Sequence, residues 1–418
     1  MVRDAVITAG LAVFTVLALR RYVGDRYLVP TGSMEPVLHG DRAHGDIVFV
    51  DKTAAAGDQR RRDLVVVTHP TEPGQQLVKR IAACGDDPEA CCIDIQQGDI
   101  WLGPDPQHLR LEQKDPLAAR AERVAWASSR GAGPVVARLD LRAAAATATG
   151  WSLAPLAATV AEVPPMLEPR ARRARRLAAQ NGGRGVLPEG CLGTSRPVDA
   201  SYVDATGAVG TIGADVMVAD CGLSLELGLV PATLELVATL ELRDSAFTFR
   251  WQPASGQVAL WWNGTEVARR SLPPNAAPQR FDYGLLDGRL FCCADDDPAA
   301  LFVVERRPEW LDPRDLGVRA GARSLLYVGC CGPAEARLEL RALHVFRDVF
   351  AWREPIAYVK GQTGSWPRIV DRGHWFLLGD SAFDSLDSRQ FGAVSSRSFL
   401  GVPRWVLGPW PRARRVQP

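Results

Sequence analysis

Two stretches of this chain share one pattern, and a long stretch with a different pattern lies between them. From residue 25 to about 114, short apolar runs are punctuated by Pro, Gly and Asp: 46–51 (DIVFVD), 63–68 (DLVVVT) and 76–82 (QLVKRIA). Runs of this length bounded by turn residues read as strands. After Trp352 the same style returns. The pattern predicts one β domain, formed by residues 25–114 and 351–418, interrupted by another. At 418 residues the chain is long enough for two or three cores.

The interruption has two parts. Residues 115–196 are rich in Ala and Arg, are broken by Pro164, Pro165 and Pro169, and predict a partly helical connector. Residues 197–350 turn β-rich. Strand alternation marks 234–242 and 247–251, and the runs 258–262 and 266–272 flank Asn263-Gly264, a strong hairpin signal. Further strands are expected at 323–328 and 336–346. Repeated short strands with turn signals predict an inserted β-sandwich of jelly-roll-like shape. The expected fold class is therefore mainly β.

Ahead of both lies 5–19 (AVITAGLAVFTVLAL), an uncharged apolar run between Asp4 and Arg20. As a helix it spans about 22 Å, short of the roughly 30 Å hydrocarbon core. Snorkelling of Arg20 and Arg21, with Tyr22 and Val23 extending the apolar surface, makes a thin single span feasible. Residues 1–24 are thus expected to be a transmembrane anchor. The rival reading is a cleaved signal peptide, but no small-x-small cleavage site follows. Charge does not fix the orientation, since Arg20, Arg21 and Arg26 outweigh Arg3.

Charge does exclude one class. Lys+Arg at 49 against Asp+Glu at 48 leaves no global field for nucleic acid. The arginines within 170–176 are local and read as a solvated helix face. Nine cysteines cannot all pair internally. With no C-x-x-C and no His at ligand spacing, a zinc site is not expected. Cys84 and Cys91 close a short loop if the domain lies outside the cytosol, or remain buried thiols; the sequence leaves both open.

Three segments carry chemistry. In 29–38 (VPTGSMEPVL), Pro30 and Gly32 turn an extended backbone so as to present Ser33. A serine hydroxyl needs a base before it becomes a nucleophile. Alternation in 76–82 puts Lys79 on the face of Leu77 and Ile81 and leaves Arg80 on the other face, able to reach water. A lysine among apolar neighbours loses part of its preference for the charged form and serves as a base. In 375–392 (WFLLGDSAFDSLDSRQFG) an apolar strand runs into a loop dense in hydroxyls, carboxylates and one Arg, as in a hydrogen-bonded network that holds a site. Alone, that loop reads equally as an Asx turn or a weak calcium loop.

Together, TGSMEP at 31–36, VKRI at 78–81 with Gly85-Asp86, and the 379–392 segment resemble the sequence boxes of type I signal peptidases, in that family's order. The resemblance covers 25–105 and 355–418. It implies Ser33 as nucleophile and Lys79 as general base. Thr31 and the Ser33 amide would form the oxyanion hole. Ser385 would orient the lysine, Asp387 and Arg389 would support it, and Asp380 would shape the loop. Ser381 departs from the family's usual Asn, and Ala83-Cys84 stands where a Pro commonly precedes the Gly-Asp.

The activity implied is removal of signal peptides from secretory preproteins with small residues before the cut. The enzyme would be a single-pass plasma-membrane serine endopeptidase with its catalytic domain on the extracytoplasmic side. Membrane lipid is a further expected partner; nucleic acid, metal and cofactor are not. Two rivals are another Ser-Lys processing peptidase and a cell-envelope binding protein whose sandwich works on a degenerate peptidase frame. The complete set of Ser33, Lys79, Ser385, Asp387 and Arg389 argues against decay.

Overall fold

Strands carry most of the regular structure in the computed structural model. It describes residues 2–416 except 73, 97, 118, 120–122, 131–132, 157–186, 200, 204–208, 211–217, 219, 243–244, 273–277, 296, 306–323, 349–350, 352, 354–364 and 383–384. The chain divides into two units, Met1–Glu112 with Val349–Pro418, and Gln113–Asp348.

In the first unit, helix α1 (Val2–Tyr22) leads into β1 (Gly24–Leu28), β2 (Ile47–Asp51), β3 (Leu64–Thr68) and β4 (Gln76–Cys84). A small sheet is then built from β5 (Cys92–Gln96), β6 (Asp99–Gly103) and β7 (Arg110–Leu111). The C-terminal segment adds β8 (Arg368–Ile369), β9 (His374–Leu378), α2 (Ser388–Phe391), β10 (Val394–Ser395), β11 (Phe399–Gly408) and β12 (Arg414–Arg415). The large sheet runs β1-β2-β11-β3-β4-β9-β10, with β12 on β11, and the small one β8-β5-β6-β7. Every pairing in the large sheet is antiparallel.

The order explains why the two sequence-distant stretches form one unit. Strand β11 lies between β2 and β3, and β9 pairs with β4, so the C-terminal segment completes the sheet begun by the N-terminal one. The unbroken apolar run of β3 fits a strand covered on both faces. Leu64 and Val66 enter one apolar cluster with Met34, Leu38, Val48 and Val406, while Val65 and Val67 enter another with Leu77, Ile81 and Trp375. Each such side chain contributes about 1.5–3 kcal/mol by leaving water.

The N-terminal run does form a helix, but the transmembrane expectation needs correction. Among the described residues no helix is long and apolar enough to cross a membrane. The apolar run is too short, and its C-terminal end is polar and fastened: Arg20 pairs with Asp25 at 2.9 Å, and Lys52 Nζ donates to the Arg20 carbonyl at 2.8 Å. Leu11, Phe14 and Leu17 are exposed on its surface.

Among its described residues the second unit holds a small two-stranded sheet and two large antiparallel ones. One contains Cys221–Leu227, Arg280–Leu286, Arg289–Ala294 and Leu338–Arg347; the other contains Glu235–Leu242, Ser245–Gln252, Gln257–Trp262, Thr265–Ser271 and Leu325–Cys331. One apolar cluster draws on both, and Phe281 stacks against Phe249 and Trp251 at 5.0 and 4.9 Å. The hairpin at Asn263-Gly264 forms with φ of 49° and 88°, the left-handed pair that such a two-residue turn requires.

Within the connector at 115–196, Gly133–Arg138 forms a 3₁₀ helix, and several of the other described runs are extended. Val124–Ser128, Ala144–Thr147, Gly150–Leu153 and Leu192–Thr194 are strands that pair into the two sheets. Pairing of these short runs with sheet neighbours, a matter of tertiary context, overrides the high helix propensity of Ala and Arg. The Pro- and Arg-rich part, 157–186, lies outside the described residues. All nine cysteines are free thiols, so Cys84 and Cys91 are not bridged; Cys91 Sγ instead donates to the Pro104 carbonyl at 3.2 Å.

Candidate active site

Ser33 is presented by a single 3₁₀ turn, Gly32–Met34, entered from extended Thr31 (φ −138°, ψ 152°). Two apolar side chains C-terminal to the serine anchor the turn: Met34 is 1% exposed and Leu38 0%, both in the cluster under β2 and β3. Ser33 itself is 8% exposed.

Lys79 comes from the middle of β4, opposite Val65 of β3. Alternation buries it with Leu77 and Ile81, leaving it 2% exposed. Its Nζ donates to Ser33 Oγ at 2.7 Å. Thr31 Oγ1 lies 3.5 Å from the same Oγ, at the limit of hydrogen bonding. Thr31 is exposed.

The loop after β9 closes the other side. Ser381 N–H donates to the Ser33 carbonyl at 3.1 Å, tying the loop to the peptide of Ser33. Asp387 is fully buried and does three jobs. Its carboxylate accepts Gly379 N–H at 3.0 Å, caps α2 in a capping box with Gln390, and pairs with Arg389 through two bonds of 2.8 Å. Burial alone would raise the carboxyl's pKa. The charge and hydrogen bonds of Arg389, the Gly379 N–H and the charge of Lys79 outweigh it and hold the group below its ordinary value of 3.8. Arg389 also reaches the Ser385 carbonyl at 3.4 Å.

Two expected contacts turn out otherwise. The Ser385 hydroxyl, expected to orient Lys79, is buried and makes no hydrogen bond among the described residues. It faces the Gly379 backbone so closely that a Cβ on Gly379 would lie 2.1 Å from it. Arg80, expected to reach water, instead forms a bidentate pair with Asp380 at 2.8 and 2.9 Å and donates to the Arg62 carbonyl. Asp380 therefore fastens its loop to β4, the strand that carries Lys79.

Sequence reasoning missed two contributors. Ser388 Oγ, fully buried, accepts Leu377 N–H at 2.9 Å and so fixes the end of β9. Gly379 is the second. Besides Ser385, its added Cβ would lie 2.5 Å from the Ser33 carbonyl oxygen, so only glycine fits between Ser33 and the loop. A glycine ending an apolar strand is the signal that could have found it.

Around Ser33, then, the fold places an amine at hydrogen-bond distance, a neighbouring hydroxyl and a rigid acidic-basic support. Such an arrangement can perform nucleophilic acyl transfer. A family model described as signal peptidase, peptidase S26, matches residues 2–100 and 351–408. Signal peptidase I of Aquifex aeolicus is 33% identical over 86 residues, which is 20% of this chain and 32% of that protein. Signal peptidase I of Pseudomonas aeruginosa is 31% identical over 87 residues, 18% of this chain and 29% of that protein. The chain thus spans about a third of the length of these curated relatives. The lumenal domain of VIP36 superposes at a TM-score of 0.25 and 11% identity, covering 44% of this chain and 89% of that one, too weak a likeness to bear on fold or function. Residues 2–100 and 351–408, which supply Ser33, Lys79 and the loop beside them, are thus the part of this chain that is similar to the signal peptidase family S26.

Proposed function

We propose that the protein is a serine endopeptidase that removes signal peptides from secretory preproteins, with Ser33 as nucleophile and Lys79 as general base. The observation that carries this reading is the 2.7 Å contact between Lys79 Nζ and Ser33 Oγ at a nearly buried site. With its electron pair free, Lys79 takes the hydroxyl proton as Oγ attacks the scissile carbonyl. The Ser33 N–H and the Thr31 hydroxyl stabilise the oxyanion. The ester between Ser33 and the signal peptide forms as the C–N bond breaks, and Lys79 returns the proton to the leaving amine. Water, deprotonated by the same lysine, then hydrolyses the ester. Asp380, Asp387, Arg389 and Ser385 keep the loop that abuts the nucleophile in place.

A membrane surface is the proposed workplace, with the catalytic unit on the extracytoplasmic side. Exposed Leu28, Trp405, Leu407 and Trp410 of the first unit support it, as do the exposed apolar residues of α1. Trp410 is 86% exposed, a strong departure from core packing. The second unit is read as an inserted β-sandwich that contributes no reacting group.

The test is cleavage of a reporter preprotein by the purified full chain in detergent. Wild type should release the mature protein, and Ser33→Ala should release none while retaining its thermal unfolding transition. Equal cleavage by folded Ser33→Ala would overturn the assignment.

A further inference from the structure

The mechanism leaves one buried Glu–His pair close to the nucleophile unused. Glu35 is 4% exposed and His39 7%, two and six positions after Ser33. His39 Nδ1 and Glu35 Oε1 lie 2.7 Å apart, and the same carboxylate oxygen accepts Gly40 N–H at 3.2 Å. Gly40 in turn presses on the peptide ahead of the serine: a Cβ there would meet the Thr31 carbonyl oxygen at 1.7 Å and Gly32 N at 2.5 Å. Glu35 also ends the serine turn, its own N–H donating to the Gly32 carbonyl at 3.0 Å.

The rest of the loop is closed just as firmly. Asp46, 0% exposed, accepts His39 N–H at 3.0 Å, and its own N–H donates to the His39 carbonyl at 2.8 Å. Asp46 is held by Arg412 at 2.8 Å and Arg414 at 3.4 Å. Val29 N–H donates to the Asp46 carbonyl, and Asp41 N–H to the Val29 carbonyl, which joins the two ends.

We propose that Glu35 and His39 are positioning residues that clamp Gly40 against Thr31 and so aim the Thr31 hydroxyl and the Ser33 N–H at the oxyanion. Lys79 does not depend on this clamp, because it is set by β4, and the turn that carries the Ser33 hydroxyl keeps its apolar anchors Met34 and Leu38. Losing the clamp therefore weakens the oxyanion side while leaving nucleophile and base together. The inference rests on the proposed peptidase reading for its kinetic consequence, but its structural part stands apart from that reading.

The experiment compares the full-length wild type with Glu35→Leu, Glu35→Gln, His39→Leu and His39→Asn. Glu35→Gln keeps an acceptor oxygen and His39→Asn keeps a short donor, whereas the leucines keep neither. Each leucine variant should lower kcat by about 10²-fold, the scale of one lost oxyanion donor, with KM little changed, and the polar variants should recover most of that loss. Hydrogen exchange of the segment 29–46, measured in the same samples, should quicken in the leucine variants at Gly40 and Asp41, with β4 unaffected. Unchanged exchange at Gly40 and Asp41 in a folded leucine variant overturns the clamp whether or not the wild type cleaves anything. Equal kcat losses in leucine and polar variants also overturn it, because acceptor and donor would then be irrelevant. A wild type that cleaves no preprotein sinks the peptidase reading, and the exchange data still decide the clamp.

Discussion

Lys79 Nζ and Ser33 Oγ meet at 2.7 Å although 46 positions separate the two residues in the chain. The lysine is held by β4 and the serine by a turn anchored on Met34 and Leu38, so the contact joins two independently fixed elements. Replacing Lys79 by Met keeps the length and apolar stem of the side chain and removes the amine. Preprotein cleavage by Lys79→Met should fall by about 10⁴-fold or more, as when a member of a catalytic unit is removed. Circular dichroism and urea unfolding should report a folded protein. Cleavage within an order of magnitude of wild type would show that another group serves as base.

Gly379 is wedged between the Ser33 carbonyl and the Ser385 hydroxyl. The hydroxyl could rotate away from an added methyl, but the carbonyl belongs to the backbone and cannot. Gly379→Ala should therefore cost about 1–3 kcal/mol of stability, as overpacking does, and displace Ser33 from Lys79. Steady-state kinetics and urea unfolding measure both effects. A variant with wild-type kcat and wild-type stability would mean that the loop has slack here.

Asp387 gives the support a pH dependence whose sign comes from its lowered pKa. In the unfolded chain its carboxyl binds a proton more readily than in the native state. The pair with Arg389 thus contributes fully above the ordinary value of 3.8, and the contribution is lost as pH falls through the lower folded value. Asp387→Asn strands a buried guanidinium and should cost about 3–5 kcal/mol at neutral pH. Urea unfolding of both proteins from about pH 3 to 7 should show this gap shrinking as the solution is acidified. A gap that ignores pH would mean that the pair is not an ion pair in solution.

The first unit should stand without the second. Its three apolar clusters are built, among the described residues, from positions outside 113–348. Replacing residues 113–348 by a flexible Gly/Ser linker should leave a folded protein with measurable preprotein cleavage. A soluble, folded excision variant with no activity would assign the second unit a part in the reaction.

What the sequence determined by itself was local and ordered: short strands from their alternation, the Asn263-Gly264 turn, and Ser33 and Lys79 as candidate groups, whereas Asp387 and Arg389 were singled out by the resemblance. These are legible because a period of two and a turn residue act over a few positions. The face on which Lys79 is buried was readable in the same way, from Leu77 and Ile81. What pairs with what was decided only in three dimensions. The placing of β11 between β2 and β3, the capture of Arg80 by Asp380, and the strands within 115–196 all depend on partners far away in the chain. Pattern within one segment carries no information about which distant carboxylate or strand edge will satisfy it. The requirement for glycine at 379 and the clamp of Glu35 on Gly40 belong to the same class, because each exists only where two backbones approach more closely than a side chain allows.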